Sequence, residues 1–399
     1  MYKRQTHVFG RHFLQIPGPS PVPDRVLRAM SQQVIDHRGP EFGELGLKAL
    51  AGMKTIFKTE GDVIIYPSSG TGAWEAALAN VLKEGDRVLM YETGHFATLW
   101  KKMAEKLGVR AEFIGGDWRA GADPDAIEQQ LRADSAHEIK AVCVVHNETS
   151  TGSVSPIADV RRAMDAAGHP ALLMVDTISG LASIDFRFDE WGVDVAVSGS
   201  QKGLMLPPGI SFNAVSGKAL ETARNNGMRR SYWDWQEMVE INGKGYFPYT
   251  PATNMLYGLV EAIDMLHEEG LETVFARHQR LAAATRAAVR AWGLEVLCNR
   301  QGHESGVLTT VMMPEGHSAD AFRAQALRHY NISLGSGLSK VADKVFRIGH
   351  LGDINDLTLV GALSGVEMAL SKAGVPHEKG GVGAAMAHLE STPAPGIDA

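Results

Sequence analysis

The chain predicts an α/β protein, a mostly parallel sheet with helices on both faces, followed by a smaller C-terminal α+β domain. Three observations point there. Short β-branched runs alternate with amphipathic stretches through the first two thirds of the sequence, and that alternation thins beyond residue 268. The length of 399 residues also exceeds what one hydrophobic core usually serves, at about 150 residues per domain.

The first 23 residues are rich in proline and glycine, and IPGPSPVP (16–23) can neither continue a helix nor pair as a central strand. An extended arm is expected there. From Asp24 the pattern turns helical, and then DVIIYP, AWEAALANVL, RVLMYE and ATLWKKMAEKLG alternate strand with helix. The series continues through AVCVVH, ADVRRAMDAAG, ALLMVD and VDVAVSGS, each strand-like run ending in small or polar residues. Ligands of parallel sheets bind at such strand ends. Residues 24–268 are therefore expected to form the large domain. A helical pattern from Leu256 to Trp292, nicked at Gly270, leads into GVLTTVMM and KVFRIGHLG, assigned with the rest of 269–385 to a small domain. Glycine and proline near the end predict a flexible tail over 386–399. No internal repeat is seen.

Composition narrows the function. The net charge of −7, with both signs interspersed, offers no footprint for nucleic acid. No apolar stretch reaches the roughly 18 residues of a membrane span, and neither end carries a targeting signal, so a cytoplasmic protein acting on small molecules is expected. Two distant cysteines, Cys143 and Cys298, make neither a disulfide framework nor a zinc site and read as packing residues. No metal is expected. The sequons at Asn147 and Asn331 are chance matches in that compartment.

Three local patterns carry chemistry. In SGSQKGLMLPPG (198–209), Lys202 follows a strand and a run of small residues, off any amphipathic face. Most lysines are solvated surface charges. At a strand end, however, an amine whose charged form is destabilised becomes a carbonyl-reactive nucleophile, and small neighbours leave room for a planar group. In LLMVDTISG (172–180), Asp176 ends a strongly apolar strand, either as a helix N-cap or as the partner of a pyridinium nitrogen. In PSSGTGAWEAAL (67–78), a small-residue turn opens an amphipathic helix, where exposed N–H groups and the hydroxyls of Ser69 and Thr71 favour an anion and Gly70 and Gly72 permit close approach. The turn is neither a Walker A loop nor a GxGxxG fingerprint.

Taken in order with IPGPSPVP, DHRGPEF (36–42), HNETSTG (146–152), FPYTPATNMLYGL (247–259) and FRIGHLGD (346–353), these patterns resemble the class V aminotransferases. Those are pyridoxal-phosphate enzymes of fold type I, and the match is to the serine–glyoxylate and aspartate–glyoxylate group. The resemblance covers nearly the whole chain and implies a seven-stranded sheet. It implies that Lys202 holds pyridoxal 5'-phosphate as a Schiff base and shuttles the substrate's Cα proton, with Asp176 on the ring nitrogen. Gln201, Ser69, Gly70 and Thr71 would bind the phosphate, and Ile178 would press on a ring face. Thr149 would sit near the ring hydroxyl and the substrate. Phe96 matches the stacking aromatic, with His95 as the alternative.

Thr250 matches a residue that reaches the phosphate of a partner subunit, which implies a homodimer with shared sites; Phe247 stands where relatives have tyrosine. Arg347 matches the arginine that grips the substrate α-carboxylate, a task suited to its planar fork, with a domain-interface salt bridge as the alternative. Pro17 and Gly18 would lie over the substrate entrance. His146, His350 and Trp74 are assigned to the core or to a supporting layer. The implied reaction is a ping-pong transamination from an L-amino acid, serine or aspartate, to glyoxylate, with Arg38, His37 and Arg230 as candidates for a second donor carboxylate. A pyruvate-using aminotransferase is the alternative. So is a lyase of the cysteine desulfurase type, which would need a cysteine on a mobile loop.

Overall fold

The computed structural model describes residues 10–396. The first nine residues of the expected arm and the last three of the expected tail lie outside them. The strands are β1 (Phe13–Gln15), β2 (Asp62–Tyr66), β3 (Arg87–Tyr91), β4 (Arg110–Ile114), β5 (Ile139–Val145), β6 (Asn147–Glu148), β7 (Ser153–Val154), β8 (Leu172–Asp176), β9 (Val195–Gly199), β10 (Ser211–Val215), β11 (Leu308–Met312), β12 (Ile332–Ser336) and β13 (Val345–Gly349). Helices α1 (Asp24–Met30), α2 (Pro40–Phe57), α3 (Gly70–Val81), α4 (His95–Lys106), α5 (Pro124–Ala133), α6 (Ile157–Ala166), α7 (Gly217–Asn225), α8 (Trp235–Asn242) and α9 (Thr253–Glu269) accompany the first ten strands. The C-terminal region adds α10 (Leu271–Ala291), α11 (Ala319–Tyr330), α12 (Asp356–Lys372) and α13 (Gly381–Ser391).

Seven strands form one sheet in the order β2-β10-β9-β8-β5-β3-β4. Only β10 runs antiparallel to its neighbours. The central β8 and β9 are buried at every position, as a sheet covered on both faces requires. Two separate apolar cores fill the two faces: Leu173, Val175 and Phe212 point into one, Met174, Val197 and Trp235 into the other. From β3 the chain steps outward to β4 and then back to β5, so the strand order reverses between β3 and β5. A crevice opens at the carboxyl ends beside such a reversal.

The second sheet, β1-β12-β13-β11, packs on its own core around Trp292, Phe322, Phe346 and Leu363. The arm does not stay apart from it. Phe13–Gln15 pairs in parallel with Ile332–Leu334, which ties the N-terminal arm to the C-terminal sheet. The long helical pattern is two helices that break at Gly270, where a φ of +84° suits glycine. The segment expected to be flexible from residue 386 is instead helical through Ser391, with Leu389 buried in the C-terminal core. Small residues drew the reading toward disorder, yet they let α13 approach closely: a Cβ on Gly381 would lie 2.2 Å from Trp292 Nε1.

Candidate active site

The expected cofactor-binding residues, Thr250 excepted, line one cavity of about 120 Å³ at the carboxyl ends of β3, β5, β8 and β9. Lys202 follows β9. Its Nζ donates to the Pro17 carbonyl at 2.7 Å, and Ser20 anchors the same loop by donating from Oγ to the Lys202 carbonyl (2.8 Å) and from N–H to the Gln201 carbonyl (3.0 Å). Burial, then repulsion from Arg347, pushes the ammonium down to about 8 against the opposing pull of Asp176. The arm can lie this close only because residue 18 is glycine. Its φ is +108°, and a Cβ there would fall 2.4 Å from Lys202 Nζ.

Asp176 ends β8 and is buried. One carboxylate oxygen accepts from the Ile178 N–H at 2.7 Å and the other from Trp74 Nε1 at 3.2 Å. Burial raises its pKa to about 7, mainly against these hydrogen bonds. Such a carboxylate has its charge desolvated and no cation in contact among the described residues, so it fits a cationic ring nitrogen. Trp74, expected in the core or in a supporting layer, lines the cavity itself: it packs on Trp100 with rings 5.9 Å apart and 12° from parallel and donates to the acid.

Ser69 caps α3 by position but its side chain makes no capping hydrogen bond, which leaves the hydroxyl and the first N–H groups of the helix turned to the cavity end. Gln201 lines the same cavity with an amide whose NH2 group is the donor that a phosphate can use, its buried oxygen having no partner among the described residues. A Cβ on Gly70 would strike Ile178 Cδ1 at 2.5 Å. These groups fit a phosphate, and the tightness of the turn explains both small residues. Phe96, not His95, lines the cavity, the two rings meeting edge to face at 5.5 Å.

Arg347, in β13, borders the site without lining the cavity. It is 7% exposed, donates from Nη1 to the Thr149 carbonyl (2.8 Å) and from Nε to the Ser336 carbonyl (2.7 Å), and makes no ion pair among the described residues. The salt-bridge alternative thus finds no partner there. Burial pulls its pKa down to about 10. A desolvated guanidinium held by neutral carbonyls is a receptor for a carboxylate.

The other expected residues lie elsewhere. Thr250, Phe247, His37 and Arg38 line a second cavity of about 500 Å³ and none of them borders Lys202. Arg230 lines neither and donates to the Met228 and Ala223 carbonyls. His146 and His350 are buried and, by that burial, pushed down to about 4 and about 3, so both are neutral packing groups. Cys143 is buried with its thiol pushed far up, and Cys298 is raised to about 11. Neither is a nucleophile. Among the described residues no cluster of three or more potential ligands could hold a metal, and no helix is long and apolar enough to cross a membrane.

Sequence reasoning missed Asn147 and Ser179, which also line the cavity and are joined by an Asn147 Nδ2 to Ser179 Oγ hydrogen bond of 2.7 Å. Asn147 was visible as a sequon and inside HNETSTG, without a role. A buried polar residue between two strand ends was the signal available.

Comparison with known proteins identifies the family. The profile of the family Aminotransferase class-V matches residues 12–348. A serine–glyoxylate aminotransferase of Methylorubrum extorquens is 50% identical over 391 residues, 96% of this chain and 97% of that protein. The L-aspartate–glyoxylate aminotransferase of Paracoccus denitrificans is 43% identical over 95% of this chain and 96% of its own length. The crystal structure of ureidoglycine–glyoxylate aminotransferase from Bacillus subtilis superposes with a TM-score of 0.88 at 27% identity, covering 97% of this chain and all of that one. With the match spanning the cavity and both sheets, the chain belongs to the class V aminotransferases, enzymes that work with pyridoxal phosphate.

Proposed function

We propose that this chain transfers the amino group of a small L-amino acid, serine or aspartate, to glyoxylate, giving glycine, by a ping-pong sequence. The observation that carries the reading is the meeting, in one cavity, of a low-pKa lysine, a buried aspartate and an open helix N-terminus, bordered by an arginine that pairs with no acid among the described residues. Bound pyridoxal phosphate supplies the electron sink that stabilises negative charge at the substrate's α-carbon.

The chain's own residues do the rest. Lys202, partly unprotonated near neutral pH, is the amine that would hold the cofactor by its carbonyl carbon, and its free amine would take and return the proton at the substrate's Cα. Asp176 keeps the ring nitrogen cationic. Ser69, Gly70, Thr71 and Gln201 hold the phosphate, and Phe96 and Ile178 confine the ring. Thr149 serves the ring hydroxyl. Arg347 binds the α-carboxylate shared by donor and acceptor. Gly18 and Pro17 cover the entrance, leaving room for a small acid only. In this reading residues 24–268 bind the cofactor and residues 269–385 supply the clamp. Thr250, beside Arg38 on an open surface, serves the phosphate of a neighbouring copy in a homodimer, and the enzyme works in the cytoplasm.

Relatives named for serine and for aspartate stand at 50% and 43% identity, so both donors are retained. The purified protein is expected to be yellow, to bleach with serine or aspartate and to recover with glyoxylate. Faster recovery with pyruvate would replace the acceptor, and a colourless protein that takes up no cofactor would end the reading.

A further inference from the structure

We propose that Glu148 is a positioning residue that holds Phe96 against the cofactor pocket and ties that wall to the carboxylate clamp; the inference rests on the functional reading above. Glu148 lies in β6, fully buried. Its Oε1 accepts from the Phe96 N–H (3.3 Å), the Ser150 N–H (3.0 Å) and the Ser150 hydroxyl (2.7 Å). Its Oε2 accepts from the Ala97 N–H (3.2 Å) and the Thr93 hydroxyl (3.5 Å). Each of these neighbours is a donor.

The donors show what the side chain does. The N-cap position of α4 is Gly94, with no side chain to satisfy the helix's first N–H groups. Glu148 caps the helix from another strand, an arrangement that also suits the positive end of the helix dipole. Close approach requires glycine at 94: a Cβ would sit 2.5 Å from Glu148 Cγ and 2.4 Å from Ser150 Oγ. Ser150 Oγ in turn accepts from the His95 N–H at 2.9 Å. The backbone at 95–97 is therefore pinned residue by residue, and Phe96 is on the cavity wall. The next residue after Glu148, Thr149, gives its carbonyl to Arg347 Nη1. Adjacent residues at one strand end thus locate the stacking ring and the guanidinium relative to each other.

Glu148→Gln tests this. An amide accepts at one atom but turns N–H groups toward donors at the other, so one side of the cap is lost. With apo-protein, tryptophan fluorescence quenching by pyridoxal phosphate should report a dissociation constant raised about ten- to hundredfold, the effect of losing a charge-assisted hydrogen bond. Amide exchange at Phe96 and Ala97 should quicken. In a Phe96→Leu background the same substitution should change the dissociation constant by less than about threefold, since contacts that act through one group are not additive. An undiminished effect in that background, or wild-type affinity and exchange in Glu148→Gln, overturns the inference while leaving the function intact. If Glu148→Gln does not fold, Ser150→Ala takes its place in the cycle, and the same two results support or overturn the inference. Failure of the unmodified chain to bind the cofactor would overturn the functional reading and this inference with it.

Discussion

The cavity at Lys202 holds or borders charged groups already managed by the chain: buried Asp176 by Ile178 and Trp74, half-buried Lys202 by Pro17 and, at its border, buried Arg347 by two carbonyls. The cavity at Thr250 is larger, about 500 Å³ against about 120 Å³, and there Thr250 and Arg38 are exposed. Burial strengthens every electrostatic interaction in the first, whereas solvent screens those in the second. The first can therefore shift protonation states within one chain. The second acquires such leverage only if another surface covers it.

The comparison can be broken or sharpened in order of expected effect. Lys202→Ala should reduce turnover by about 10⁴ or more with the fold retained, because tether and proton shuttle go together. Steady-state rates beside circular dichroism check this; near-normal activity would mean that the buried cavity is not the reaction site. The same lysine sharpens the argument through pH. With a pKa of about 8, its free-base fraction grows as pH rises through 8, so cofactor attachment to apo-protein should accelerate up to about pH 8 and then level off. Stopped-flow absorbance would show a rise near 10.5 instead if burial did nothing.

Arg347→Ala comes next. It should cost about 2 to 5 kcal/mol in both half-reactions, roughly 30-fold to several thousand-fold in kcat/KM, since donor and acceptor present the same α-carboxylate. Timing amine-induced bleaching and glyoxylate-induced recovery separately tests it, and slowing of only one half-reaction would refute a shared clamp. Asp176→Asn should keep the cofactor but lower the rate by about 10²- to 10³-fold, in the range for removing a preorganised electrostatic group. Unchanged isotope exchange at the substrate Cα would count against it.

Thr250→Ala is expected to be mildest. One hydrogen bond to the cofactor is worth about 1 kcal/mol, a roughly fivefold weaker affinity, visible only in the assembled protein. Equilibrium dialysis beside sedimentation decides this, and a fully active monomer would show that the open cavity serves no neighbour.

The order of elements, the mostly parallel sheet and the three chemical patterns were legible along the chain because each is local. Strand and helix periodicities report burial over a few residues, and a helix-opening turn, an acid ending an apolar strand and a lysine among small residues need no distant partner to be noticed. Tertiary structure decided the rest. Trp74 reaches Asp176 from 102 positions away, Phe96 and not His95 lines the cavity, with its N–H donated to Glu148, and Arg347 is held by the carbonyls of Thr149 and Ser336 rather than by an acid. The arm, read as an extended segment, pairs with a strand more than three hundred residues later and delivers Pro17 to Lys202. These outcomes depend on which strand ends become neighbours, and the reversal of order between β3 and β5 that brings them together leaves no mark in any single stretch of sequence.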